Sequence, residues 1–167
     1  MGKNRNIRVR KMNLSDVDAV HEIELLSIAP PWTKQGFADA LANENAVFHV
    51  AEVCTDGDEE TVSQMEHSIK EPEIVGYCGL YFAADEGEIT NIAVLPDWRG
   101  RGIADQILDV VFADARGKKL SQIFLEVRAS NAPAQKLYEK HGFTSCGIRK
   151  NFYREPKEDA IVMVCSL

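Results

Sequence analysis

The sequence predicts a single α+β domain, and three observations carry that expectation. Short apolar runs with strand-like alternation recur along the chain, bounded by charged, glycine or proline residues. Amphipathic helical stripes are interspersed among them, so that the elements read strand, two helices, three strands, helix, strand, helix, two strands. The length of 167 residues suits one core and is tight for two, so residues 1–167 are assigned to one domain.

Ile7 to Arg10 alternates apolar and charged residues as a half-buried strand does. Ser15-Asp16-Val17-Asp18 has the form of a helix start with an acidic first turn, after which Ala19, Val20, Ile23 and Leu26 fall on one face. Pro30-Pro31 interrupts, and Thr33 caps a second short helix carrying Phe37, Ala40 and Leu41. Strands follow at 46–53, 74–82 and 88–94, the last ended by Pro96. Between the first two lies an acidic stretch, residues 55–73, poor in apolar side chains and expected as a long solvated hairpin connection. Ile103, Ala104, Ile107, Leu108 and Val111 make a helical stripe running toward Gly117. Ile123 to Val127 is short and apolar on both faces, as a central strand would be. Asn131 caps a last helix through Ala134, Leu137, Tyr138 and His141, with Gly142 as its stop. Strands at 143–149 and 160–165 finish the chain.

Composition excludes several classes. No run approaches the ~18 uncharged apolar residues of a membrane span, and the basic opening stretch lacks the apolar core of a signal peptide, so a cytoplasmic protein is expected. The net charge of −7 argues against sequence-independent nucleic-acid binding and suits a cationic partner. Cys54, Cys78, Cys146 and Cys165 lie far apart, mostly in strand-like runs, and read as buried, unreactive thiols. His21, His49, His67 and His141 are equally scattered, so no metal site is expected.

The most informative segment runs from Asn91 to Ala104. A strand ends at Val94, a loop carries Arg99, Gly100, Arg101 and Gly102, and a helix begins near Ile103. Such a turn aims unpaired N–H groups and the positive end of the helix at one point, which suits a phosphate or pyrophosphate. It is neither a P-loop nor G-x-G-x-x-G, and a tight turn with solvated arginines explains it equally well by itself.

The segment also resembles the acyl-CoA loop of the Gcn5-related N-acetyltransferase superfamily, Arg/Gln-x-x-Gly-x-Gly/Ala, with Arg99, Gly102 and Ala104 in register. Residues 125–143 resemble the later strand–helix unit of protein N-terminal acetyltransferases. Pro31-Trp32-Thr33, Asn91 to Val94, Asn151-Phe152-Tyr153 and Glu158 to Met163 resemble the bacterial branch that acts on the N-terminal alanine of a small-subunit ribosomal protein. The resemblance covers nearly the whole chain except the acidic stretch, and the tail between Tyr153 and Glu158 is shorter than that branch would have it.

The resemblance implies a mixed, mostly antiparallel sheet of about seven strands flanked by about four helices, and acetyl-CoA as co-substrate. It places Ile92, Ala93 and Val94 along the pantetheine arm and Gly100, Arg101, Gly102, Ile103, Ala104 and Asp105 around the pyrophosphate. Arg99 belongs to the same loop, and Asn131 becomes a cofactor contact as well as a helix cap. Glu126 would be the general base and Tyr138 the acid that protonates the departing thiolate, although Glu126 could instead pair with Arg128 or another cation, and Tyr138 could simply pack. Trp32 and Tyr153 are candidates for the peptide side of the site, each with core packing as the alternative. Glu126, Tyr138 and the Pro31-Trp32 block favour a protein α-amine acetyltransferase; the alternatives are an acetyltransferase for a small amine or a lysine ε-amine and a non-catalytic acyl-CoA-binding module. The oligomeric state is not legible.

Overall fold

Residues 6–54 and 72–167 are described in the computed structural model. Seven strands form one sheet in the order β1-β2-β3-β4-β5-β7-β6. They are β1 (Asn6–Lys11), β2 (Ala46–Cys54), β3 (Glu73–Ala83), β4 (Glu86–Val94), β5 (Gln122–Arg128), β6 (Thr144–Arg154) and β7 (Lys157–Ser166). The helices are α1 (Val17–Ser27), α2 (Lys34–Leu41), α3 (Ile103–Gly117) and α4 (Ala132–Lys140). All neighbouring strands pair antiparallel except β4 and β5, which are parallel across the α3 crossover. Fold class and element order are therefore as expected. The acidic 55–73 stretch lies outside the described residues except at its last two positions, where Glu73 opens β3.

Local chemistry explains the boundaries. Asn13 caps a short 3-10 turn (Leu14–Asp16) ahead of α1, so that helix starts two residues later than Ser15 suggests. The Thr33 hydroxyl accepts from the Gly36 N–H at 3.0 Å and the Asn131 side chain from the Ala134 N–H at 3.2 Å, the two caps the sequence predicts.

Two apolar cores sandwich the sheet. On one face Ile103, Ile107, Leu108, Val111 and Phe112 of α3 pack with Tyr138 and Phe143 against β2–β5 and β7. On the other, Val20, Ile23, Phe37 and Ala40 of α1 and α2 pack on Phe48, Val50 and Tyr77. That second core reaches β4 at Ala93 and contains no residue of β5–β7. β5 is therefore buried on one side only: Ile123, Leu125 and Val127 are in the core, while Phe124, Glu126 and Arg128 are half-buried on the other face. This corrects the expectation of a strand apolar on both faces. The same lack of cover leaves the edge strand β6 almost wholly exposed, and with it Cys146; Cys54 is half-buried, and only Cys78 and Cys165 are buried as expected. On α1, Leu26 is exposed and Glu24 is buried in its place.

Candidate active site

The site originates in a defect of the sheet. β3 and β4 pair from Gly76↔Val94 to Gly79↔Asn91, then resume at Leu80↔Ile89, so Thr90 is an extra residue, a bulge in β4. The parallel ladder to β5 runs from Glu86↔Gln122 and stops at Ile89↔Leu125, beside that bulge. β4 and β5 then part, and a cavity of about 170 Å³ lies where they separate. Ile89 to Ile92 wall it on one side and Leu125 to Arg128 on the other, with Ser27 to Ala29 from the end of α1 across the top.

Of the residues singled out in the sequence, Ile92, Glu126, Asn131, Tyr138 and Tyr153 line this cavity together. Glu126 points to the uncovered face and pairs with Arg149 of β6, Oε1 to Nη1 2.6 Å. The cation beside it is thus Arg149 rather than Arg128. Tyr138 is 6% exposed, its ring packed edge-on against Phe143 with centroids 5.8 Å apart. Burial pushes its phenol well above the usual tyrosine range. Tyr153 is half-buried; burial raises its phenol too, opposed by the Arg128 guanidinium stacked 4.1 Å from the ring centroid.

The glycine loop adjoins the cavity through Arg99, which donates from Nε to the Val94 carbonyl at 3.0 Å and from Nη2 to the Ser27 hydroxyl at 3.3 Å. The guanidinium therefore braces the strand end against α1. Gly100 and Gly102 both have positive φ, +72° and +73°, and a Cβ built on either meets open space. Gly102 occupies the N-cap position of α3 and supplies no capping side chain, which leaves the first N–H groups of that helix aimed outward.

Several side chains in this loop have other work. Ile103 is 2% exposed and belongs to the core. Arg101 stacks on Trp98 and donates to the Asp97 carbonyl at 3.0 Å. Asp105 accepts from Lys140 at 2.6 Å and lies 3.0 Å from His141 Nε2, and the Lys140 hydrogen bond holds its carboxyl below the usual range. What Ile103 and Asp105 present to a ligand is backbone. Ala93 and Val94 are buried core residues and likewise offer only main chain. Trp32 stands apart from the cavity, in an aromatic cluster with Phe37, Phe48 and Tyr81 at centroid distances of 5.5–6.4 Å. Packing accounts for its ring.

Sequence reasoning missed Glu24. This carboxyl is 0% exposed and accepts from the Tyr77 hydroxyl, the Asn91 Nδ2 at 3.0 Å and the Trp32 N–H at 3.0 Å. It ties the α1–α2 linker to β4 directly after the bulge. The signal was present: Val17, Val20 and Glu24 share the i, i+3, i+7 face of a helix, and an acid on that face needs donors. Among the described residues no group of His, Cys, Asp or Glu is arranged to hold a metal ion, and no helix is long and apolar enough to cross a membrane.

Known proteins resemble this chain in sequence and in fold. A Bacillus subtilis (strain 168) protein, provisionally named a ribosomal protein bS18-alanine N-acetyltransferase, is 38% identical over 93% of this chain and 92% of its own length. The ribosomal protein bS18-alanine N-acetyltransferase of Haemophilus influenzae is 38% identical over 59% of this chain and 69% of its own. The crystal structure of the ribosomal-protein-S18-alanine N-acetyltransferase from Escherichia coli superposes with a TM-score of 0.78 at 27% identity, covering 96% of this chain and 94% of that one. The acetyltransferase (GNAT) family model matches residues 50–143, a span that takes in the bulged strand, the glycine loop and both candidate acid–base residues. With that match added to the shared fold, the chain belongs to the acetyltransferase (GNAT) family.

Proposed function

We propose that this chain transfers the acetyl group of acetyl-CoA to a protein α-amine in the cytoplasm, the acceptor being the N-terminal alanine of a small-subunit ribosomal protein. The observation that carries this reading is the convergence of Glu126, Asn131, Tyr138 and Tyr153 in one cavity at the parting of β4 and β5. The acceptor follows the relatives from Bacillus, Haemophilus and Escherichia.

The residues present fit an acyl-CoA. The uncapped start of α3 and the open space over Gly100 and Gly102 suit a pyrophosphate held by the backbone of residues 100–105. Beyond Ile89, β4 has no β5 neighbour, so Ile92 to Val94 have an edge to offer a pantetheine arm. Bound there, acetyl-CoA supplies a thioester already activated toward an amine. Glu126 accepts the proton of the incoming ammonium at its carboxylate, directly or through a water. Tyr138, protonated near neutrality like any phenol and raised further by burial, holds a proton for sulfur at its hydroxyl.

An α-amine asks little of the base. With a pKa of ~7.7–8, roughly a third of it is free amine near pH 7.5, against about one in a thousand for lysine at ~10.4. The test is acetyl transfer from labelled acetyl-CoA to a peptide panel. A peptide with a free N-terminal Ala and basic residues downstream should outrun N-blocked peptides with internal lysines. Equal or faster turnover of the blocked lysine peptides would overturn the assignment.

A further inference from the structure

On the reading just proposed, we infer that Arg128 is a positioning residue that sets the amine-side mouth of the cavity by fastening the β6–β7 turn and the ring of Tyr153 to the α1–α2 linker. Alternation along β5 places Arg128 on the same face as Glu126, two residues earlier, and both line the cavity. Its guanidinium serves two separated segments at once, the hairpin of residues 153–158 and the α1–α2 linker. From the β6–β7 turn it takes the Glu155 carbonyl at 2.9 Å and the Pro156 carbonyl at 3.1 Å, and just beyond the turn the Glu158 carboxylate at 3.3 Å. From the α1–α2 linker it takes the Ala29 carbonyl at 3.5 Å. Its flat face lies 4.1 Å from the centre of the Tyr153 ring.

Of these partners Ala29 and Tyr153 line the cavity themselves, and the apolar core beneath α1 and α2 contains no residue of β5–β7. Arg128 thus links the turn to the linker across this side of the cavity. Glu158 steadies the arrangement, because its other oxygen accepts from the Ser130 N–H two residues beyond Arg128. A lysine keeps the charge but has neither the planar fork nor the stacking face, so it cannot hold carbonyls on two segments and a ring together. The part of the cavity that Arg128 governs is the entrance for the amine; the glycine loop makes no contact with it.

The experiment compares wild type, R128K, Y153L and R128K/Y153L with the best amine found for the wild-type protein. Wild-type turnover alone decides the proposed function; the ratios between variants decide this inference, whichever amine is used. R128K should raise KM for the amine about tenfold or more, lower kcat less than about threefold and leave KM for acetyl-CoA unchanged. The double variant should be no worse than the poorer single variant, since both lose the same ring placement. Two results overturn the inference: an unchanged amine KM in R128K, or a parallel loss of kcat, both KM values and melting temperature, which marks a merely structural arginine.

Discussion

Replacing Tyr138 by Phe removes one oxygen and separates chemistry from packing. The ring is buried and held edge-on to Phe143 at 5.8 Å, and Phe keeps both that contact and the apolar area. Folding stability should therefore change by less than about 1 kcal/mol, which for a chain of this size is roughly 2–4 °C in Tm. The loss of a proton donor is larger: general acid catalysis is worth ~10²–10⁴ in rate, or about 2.7–5.5 kcal/mol of barrier. The sign of the pH dependence follows from burial, which raises the phenol. A raised acid stays protonated below its own pKa, so wild-type kcat should show no falling limb between pH 7 and 9.5 that belongs to Tyr138. The assay is steady-state release of free thiol, followed by a colorimetric disulfide reagent, beside melting curves with and without acetyl-CoA. A Y138F kcat within about threefold of wild type at unchanged Tm would refute the acid role and leave a packing tyrosine.

Further outcomes follow from neighbouring groups. E126Q keeps shape but cannot accept a proton, so kcat should fall ~10²–10⁴-fold. Raising the pH toward 9 should restore more of the rate in E126Q than in wild type, because the α-amine then sheds its own proton; equal pH profiles would sink the role of base. Acetyl-CoA at a hundredfold excess over its Kd should stabilise wild type by ~2.7 kcal/mol, and G102E should lose that gain. Since a Cβ at Gly102 meets open space, G102E should still fold, at a cost of about 1–2 kcal/mol for a side chain at positive φ; denaturant titrations with and without ligand read both numbers. E24A strands three donors, at Trp32, Asn91 and Tyr77, each worth ~1–3 kcal/mol, and should cost about 3–9 kcal/mol in urea unfolding. E24Q, which keeps an acceptor oxygen, should cost about 1–2; equal losses in the two variants would show that the network carries little.

Strands covered by a helix were legible because burial imposes alternation on them. β2 and β3 appear where the apolar runs place them. β6 reads short in the sequence, ending at Arg149, whereas the strand continues to Arg154 through a register irregularity between Arg149 and Tyr153. An uncovered edge strand has no buried face to write a pattern, so its end is silent. The same silence hid the half-open side of β5, the side on which Glu126 lies. The roles of Glu126 and Tyr138 came from resemblance to a family, since periodicity alone says only that Tyr138 faces inward. Glu24 went unread for the opposite reason. A single acid in an apolar stripe looks like noise until its donors are known, and those arrive from residues 8, 53 and 67 positions away.

The parallel ladder that ends at Ile89↔Leu125 gives the molecule a seam. On one side stand β1 to β4 with α1 and α2; on the other stand β5 to β7. Through the sheet, these halves are joined only along the short ladder that precedes the seam. A guest lodged in the gap is then a rivet as well as cargo, because it touches both halves where the sheet does not join them. Alignment of the halves and grip on the guest become one property. A substitution far from the cavity that turns one half slightly against the other would announce itself first as poorer retention of the guest, long before the chain unfolds.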